Sequence, residues 1–189
     1  LGTPPQSKAD YAFIQHIIAS MDCNTGRCAI LLPHGILFRK EEKDMREKLV
    51  QMDTLEAVIA LGHNLFYNSA MISCVLVCRV NKDDKHKNKV IFIDAEQDVT
   101  RKNAQSFLAD YQIEKILNAY NNFEDVEGFA KVVTNEEIKK SGSVLSISYY
   151  VEGIEEDNID IDESIQSWRE SSALFNKEVS SLLDLINNG

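Results

Sequence analysis

The stretch Gly26-Arg-Cys-Ala-Ile-Leu-Leu-Pro-His-Gly-Ile-Leu-Phe-Arg39 decides the fold. Residues 28–32 form a short, continuously apolar run, the kind of strand buried on both faces of a parallel sheet. Pro33-His34-Gly35 then turns the chain at the carboxyl end of that strand. In open α/β folds this is the edge where ligands bind. Before the strand, Tyr11, Phe13, Ile14, Ile17, Ile18 and Met21 recur at helical spacing behind the caps Ser7 or Asp10, which predicts a helix over 8–21. Asn24-Thr25-Gly26 stops that helix.

After the stretch, residues 40–51 read as a charged helix with Met45, Leu49 and Val50 as its apolar positions. Strands are expected at 55–61, 72–80 and 90–94. The loop 81–89 between the last two is polar and basic, so a hairpin is expected there, its tip a solvated patch that could touch phosphates. Helix and strand alternate, which argues an α/β sheet with an antiparallel edge. The order starts with a helix. The strand that should feed it is expected upstream of residue 1, leaving the sheet an unpaired flank.

Beyond residue 95 the pattern changes. We expect a helix over 104–120, a loop to 128, a short extended piece at 130–133, a helical turn at 135–140 capped by Asn135, and a weakly alternating run at 144–151. Residues 152–163 read as an acidic linker and 164–187 as a final helix whose stripe includes Ile165, Trp168, Phe175, Val179, Leu182 and Ile186.

The net charge of −10 is unevenly placed. Residues 151–189 hold ten acids against Arg169 and Lys177, a net of −8, so the first 150 residues sum to only −2. A nucleic-acid role for the front of the chain is therefore not excluded. No run of eighteen apolar residues exists, so no membrane span is expected. The cysteines are 23, 28, 74 and 78. Cys74 and Cys78 would lie about 13 Å apart on a strand at roughly 3.3 Å per residue, too far to share a metal. Cys23 and Cys28 have no matching second pair, so no metal site is expected. Free thiols and the lack of a signal-peptide pattern suggest a cytoplasmic protein.

Two adjacent aromatics, Phe66 and Tyr67, lie in the polar loop Asn64-Leu-Phe-Tyr-Asn68 just before a strand. Either ring could stack on a planar base. Taken with Ser7-Lys-Ala-Asp-Tyr-Ala-Phe13, Gly26-Arg27, Leu32-Pro-His-Gly-Ile-Leu-Phe-Arg39 and Glu56-Ala-Val-Ile-Ala-Leu61, the loop resembles the methyltransferase subunit of type I restriction–modification systems. The likeness runs closely over 1–95. It continues through Ile91-Phe-Ile-Asp-Ala95, Asn122-Phe-Glu-Asp-Val-Glu-Gly128 and Leu145-Ser-Ile-Ser-Tyr-Tyr-Val151.

That resemblance implies the C-terminal part of a Rossmann-like, S-adenosylmethionine-dependent methyltransferase sheet with an antiparallel strand, followed by a helical C-terminal extension. It divides the chain into the C-terminal half of the methyltransferase domain (1–95), a mixed α/β extension (96–151) and an acidic linker with a docking helix (152–189). It implies methyl transfer from S-adenosylmethionine to adenine N6 in DNA. The amino lone pair of adenine is delocalised into the ring, so a site must stack the flipped base and hold its NH₂.

The family's glycine-rich cofactor loop and its Asn-Pro-Pro-aromatic box are both missing here. The eight glycines never fall in a G-x-G pattern, and Thr3-Pro4-Pro5-Gln6 has neither Asn before it nor an aromatic after it. The chain is expected to be inactive alone, with no catalytic residue of its own. By the resemblance, Phe66 and Tyr67 supply the base-stacking ring, Pro33, His34 and Gly35 line the substrate edge, and Phe13 lies near the cofactor adenine. His16 and His63 read as structural or surface residues and His86 as a solvated loop charge. The partners implied are DNA, a specificity subunit docked by the acidic final helix, and in some systems a restriction subunit. The alternative is a non-catalytic module that only docks a specificity subunit.

Overall fold

The computed structural model of this chain describes residues 1–67, 69–102 and 105–151. The expected acidic linker and final helix lie outside these residues. Helix α1 (Asp10–Ser20) buries Tyr11 and Ile14, one turn apart, and ends where Met21 becomes extended. The Asp22 carboxylate accepts hydrogen bonds from the Asn24 and Thr25 amides and the Thr25 hydroxyl, which fixes the turn and lowers its pKa. Gly26 is required there, because a Cβ would sit 2.5 Å from the Asp22 carbonyl oxygen.

Strand β1 (Arg27–Pro33) follows, then single 3₁₀ turns at 34–37 and 40–42 and helix α2 (Lys43–Gln51). Strands β2 (Leu55–Leu61), β3 (Ser73–Arg79) and β4 (Lys89–Ala95) build the centre of the sheet. A small hairpin, β5 (Thr100–Lys102) with β6 (Gln105–Phe107), precedes α3 (Asp110–Asn122). Strand β7 (Ala130–Thr134), α4 (Asn135–Lys140) and α5 (Ile147–Val151) complete the described chain.

The main sheet is mixed, with order β1-β3-β2-β4-β7. Only β2 and β4 are parallel; β3 runs antiparallel between β1 and β2, and β7 antiparallel to β4. One face of the sheet is covered by α1, α2, α4 and α5, with Tyr11, Ile36, Leu37, Leu49, Phe92 and Ile138 in its core. Burying each such large side chain contributes about 1.5–3 kcal/mol. The other face is covered over β2 and β4 by α3, through Ile116, Ala119 and Phe123.

Several expectations are corrected. Strand β1 is not buried on both faces of a parallel sheet. It is an edge strand among the described residues, antiparallel to β3, and Ala29 and Leu31 are exposed while Ile30 and Leu32 are buried. Strands β3 and β4 do not form a hairpin, because β2 lies between them. The helix expected from residue 104 starts at Asp110, and Phe107 lies in β6. Residues 147–151 are helical rather than extended. The cap of α4 is Thr134, whose hydroxyl accepts from the Glu137 amide; Asn135 is buried instead, donating to the Val50 carbonyl and the Asp53 carboxylate. Strand β7, drawn from the stretch read as an extension, belongs to the main sheet.

Among the described residues no helix is long and apolar enough to cross a membrane.

Candidate functional site

Strands β1 and β2 both run antiparallel to β3, so their carboxyl ends lie at the same edge of the sheet. Pro33 and Leu61 flank Ser73 there, one on each side. Ala95, at the end of β4, sits beside Leu61 in the parallel pairing. The Pro33-His34-Gly35 turn, the 62–67 loop and the start of the loop after β4 therefore leave the sheet together. The register places these loops as neighbours although more than twenty-five residues separate one from the next.

The first loop is held from beneath. Arg46, fully buried in α2, donates to three carbonyls: Arg39 (2.8 Å), Ile36 (3.3 Å) and Ser143 (2.9 Å). The Tyr11 hydroxyl, with its pKa raised by burial, donates to the Ile36 carbonyl. Arg39 pairs with Asp10 at 2.7 Å and, more loosely, with buried Glu42 at 3.4 Å. Burial raises the Glu42 pKa, since the charged form loses its water. The Arg39 guanidinium lies over Gly35, where a Cβ would come within 2.8 Å of Nε. The charged 40–51 helix is thus not solvated all round. Arg46 sits on the stripe with Leu49 and Val50, three and four residues on, which was the one sequence signal for its burial.

His34 lies edge-on to Phe38 at 5.9 Å. Its Nε2 is buried, has no hydrogen-bond partner, and stands 4.0 Å from a Glu96 carboxylate oxygen. In the second loop the Asn64 backbone is left-handed, and its carbonyl accepts from the Ser106 amide of the small hairpin. Phe66 is half-buried against the α3-side core, and its carbonyl accepts from the Ser69 amide. Tyr67 is 83% exposed. Phe13, on α1, is also exposed, at 64%; it is not part of the core.

The two glycines that follow β1 and β2 are filled by the protein itself. Gly35 lies under Arg39, and a Cβ at Gly62 would meet the Val99 side chain at 2.4 Å and the Glu96 carbonyl oxygen at 2.5 Å. Neither is an open cradle for a cofactor's ribose or carboxylate. Among the described residues no group of three or more His, Cys, Asp or Glu side chains could hold a metal ion.

A second polar cluster lies at the opposite end of the sheet. The pairing of β2 with β3 slips between Leu55 and Ala57, so Glu56 is the extra residue of a β-bulge. Its fully buried carboxylate accepts from the Tyr120 hydroxyl at 2.5 Å and from His86 Nδ1 at 2.8 Å, with Arg79 at 3.7 Å. His86 also stacks on Phe123 at 3.9 Å. It is therefore a packed structural residue rather than a solvated charge. The basic 79–89 segment is not a free phosphate patch. Lys82 is buried against Asp53, and Arg79, Lys85 and Lys87 pair with Asp83, Glu124 and Asp84.

A family model described as N-6 DNA methylase matches residues 1–159. The methylase subunit of the type I restriction enzyme MjaVII from Methanocaldococcus jannaschii is 36% identical over 177 residues, covering 89% of this chain and 30% of that protein. The MjaVIII methylase subunit from the same organism is 39% identical over 165 residues, covering 85% and 28%. The crystal structure of the type I restriction-modification system methyltransferase subunit from Streptococcus thermophilus superposes with a TM-score of 0.73 at 37% identity, covering 78% of this chain and 31% of that one. The chain thus spans about a third of the length of these relatives.

Proposed function

We propose, since this chain belongs to the N-6 DNA methylase family, that it is the C-terminal part of a type I restriction–modification methyltransferase subunit and supplies that subunit's base-side loops. The complete subunit transfers a methyl group from S-adenosylmethionine to adenine N6 in DNA. The observation that carries this reading is the convergence of the 33–35 and 62–67 loops on either side of Ser73, with one aromatic ring left open to solvent. Half-buried Phe66 anchors the second loop and Tyr67 is the ring that stacks on the flipped adenine. Pro33, His34 and Gly35 form the opposite wall. His34, with Nε2 turned into the protein, shapes that wall rather than reading the base through that nitrogen.

The cofactor is held mainly by parts of the subunit outside these residues, with Phe13 offering at most one flat surface. Two features support a larger sheet around this one. Strand β1 presents a free edge among the described residues, and beside it Ala29, Leu31, Val75 and Val77 form a sheet face that α3 leaves partly open. Both suit the addition of further strands and helices from the same subunit. Strand β3, antiparallel between two strands of common direction, is then the antiparallel strand of a Rossmann-like sheet. The acidic 152–163 linker, with seven acids and no base, and the 164–187 segment behind it suit docking on a specificity subunit better than contact with DNA, because the linker's charge repels phosphate. A restriction subunit completes some such complexes. The setting is cytoplasmic.

The test is Tyr67→Ala in the full-length subunit with its specificity subunit. Base–aromatic stacking is worth about 1–3 kcal/mol, so methylation at subsaturating DNA should fall about 5- to 150-fold. Because Tyr67 is exposed, the melting temperature should not move. Phe66→Ala should show the reverse, losing stability first. Unchanged methylation in Tyr67→Ala, or methyl transfer by the 189-residue chain alone, would refute the assignment.

A further inference from the structure

His34 and Glu96 leave the sheet three strands apart. In the order β1-β3-β2-β4, Pro33 ends the first strand and Ala95 the last. At about 4.7–4.9 Å per strand, those ends are about 14 Å apart. Yet His34 Nε2 stands 4.0 Å from a Glu96 carboxylate oxygen. The two side chains therefore reach toward each other over the ends of β3 and β2. Each is braced from a different face of the sheet. Tyr11 and Arg46 hold the turn after β1 through the Ile36 carbonyl. The turn after β4 closes on itself, with the Glu96 amide donating to the Asp94 carboxylate at 3.0 Å and the Asp98 amide to the Ala95 carbonyl at 3.2 Å. Lys115 of α3 then donates to the Asp98 carboxylate at 2.7 Å and 3.0 Å. Gly62 lies against this second turn, with no room for a Cβ beside the Glu96 carbonyl and Val99. The Glu96 backbone thus packs on the root of the 62–67 loop while its carboxylate reaches the 33–35 turn.

The contact is incomplete. Nε2 is buried and has no hydrogen-bond partner. Its distance from Glu96 is about 1 Å longer than an N–H···O hydrogen bond. The two side chains are 21% and 27% exposed, so water still screens them from each other. A lone carboxylate is also costly at an edge read as facing DNA, because phosphates repel it. Closing the gap would satisfy both groups, since a buried donor needs an acceptor and a carboxylate losing its water needs a donor.

We propose that Glu96 is a positioning residue of the base-side site: when a flipped base covers this edge, its carboxylate closes on the Nε2–H of His34 and latches the 33–35 turn to the root of the 62–67 loop. The inference rests on the base-side reading of these loops. The arriving base excludes the water that screens the pair, which strengthens their attraction. A gap of this size is within reach of a side-chain rotation, so both braced turns keep their backbones. The closed contact is a charge-assisted hydrogen bond. It fixes Pro33 and Gly35 opposite the ring of Tyr67. Glu96 acts through His34 and touches neither the base nor the cofactor.

The test uses the full-length subunit with its specificity subunit. Methylation kinetics, DNA affinity by fluorescence anisotropy and Tm are compared across wild type, Glu96→Ala, Glu96→Gln and His34→Gln. In Glu96→Ala, kcat should fall about 10- to 150-fold, the worth of one hydrogen bond to a charged group. Glu96→Gln keeps an acceptor and should fall less. DNA affinity should hold or tighten in Glu96→Ala, because a negative charge has left the edge. Its Tm should hold, because the open, partly exposed pair stabilises the free protein little. His34→Gln and Glu96→Ala together should be no slower than the slower of the two alone, since both remove one contact. A Glu96→Ala kcat within about twofold of wild type, beside a slowed Tyr67→Ala, would overturn the latch and leave the base-side reading standing. If Tyr67→Ala is not slowed either, the base-side reading falls and the latch with it. A loss of kcat in Glu96→Ala matched by losses of DNA affinity and Tm would make Glu96 an ordinary structural residue and overturn the proposal as well.

Discussion

Replacing Glu56 by Ala should destabilise this fold more than its place in a polar cluster suggests. The carboxylate is fully buried and serves two donors, the Tyr120 hydroxyl at 2.5 Å and His86 Nδ1 at 2.8 Å. Alanine leaves both without an acceptor. A buried donor left unpaired costs about 1–3 kcal/mol. The His86 side chain is 13% exposed and Tyr120 is half-buried, so water reaches each in part and the lower end of that range applies to both. Arg79, 31% exposed and also paired with Asp83 at 3.2 Å, adds little. The sum is about 2–3 kcal/mol, a fall of about 5–10 °C in Tm for a chain of this size. Glu56→Gln keeps one acceptor oxygen and should lose about half as much. Urea denaturation followed by far-ultraviolet circular dichroism gives the order wild type, Gln, Ala. An alanine variant within about 0.5 kcal/mol of wild type, or a Gln variant less stable than Ala, would refute the reasoning.

The same cluster sets an alkaline limit. Burial, then the hydrogen bond to Glu56, raises Tyr120 to about 12. Its folded value lies above the ordinary phenol value near 10, so its contribution is complete below about pH 10 and is lost as pH rises to about 12. Urea midpoints across that window should fall in wild type and fall less in Tyr120→Phe. Thr134→Ala removes the hydroxyl that caps α4 and should cost about 1 kcal/mol, read as a Tm drop of about 2–4 °C. Gly62→Ala forces a Cβ into Val99 and the Glu96 carbonyl and should cost about 1–3 kcal/mol, with faster proteolysis near residues 96–102 as a second readout.

Apolar periodicity made most elements legible, because burial alone generates that pattern. Helix α1 and strands β2, β3 and β4 stand close to where their runs place them. Strand order was not legible. Whether β3 turns back beside β2 or crosses to β4 depends on pairing partners, and periodicity carries no record of a partner. Strand β1 misled for a related reason: its apolar run carries no record that β3 would pair beside it antiparallel, nor that, among the described residues, no helix covers Ala29 and Leu31. In the candidate site, Phe66 and Tyr67 were legible as a pair but not as anchor and free ring, a difference decided by packing against the α3-side core. The buried charges were hardest to read. Glu56 sat in an apolar run as an anomaly that only a bulge explains, and Arg46 lay hidden in a helix whose other charges face solvent.

The position of β3 between β1 and β2 also sets an order of assembly. When Leu61 has been synthesised, β1 and β2 both exist, but neither has the strand that will join them. They cannot pair with each other in the native arrangement, and both present apolar surface until Arg79 has emerged. At about 5–20 residues per second that interval is about 1–4 s. During it β1 and β2 wait without the strand that joins them, so this stretch offers apolar surface for a chaperone on the ribosome to hold.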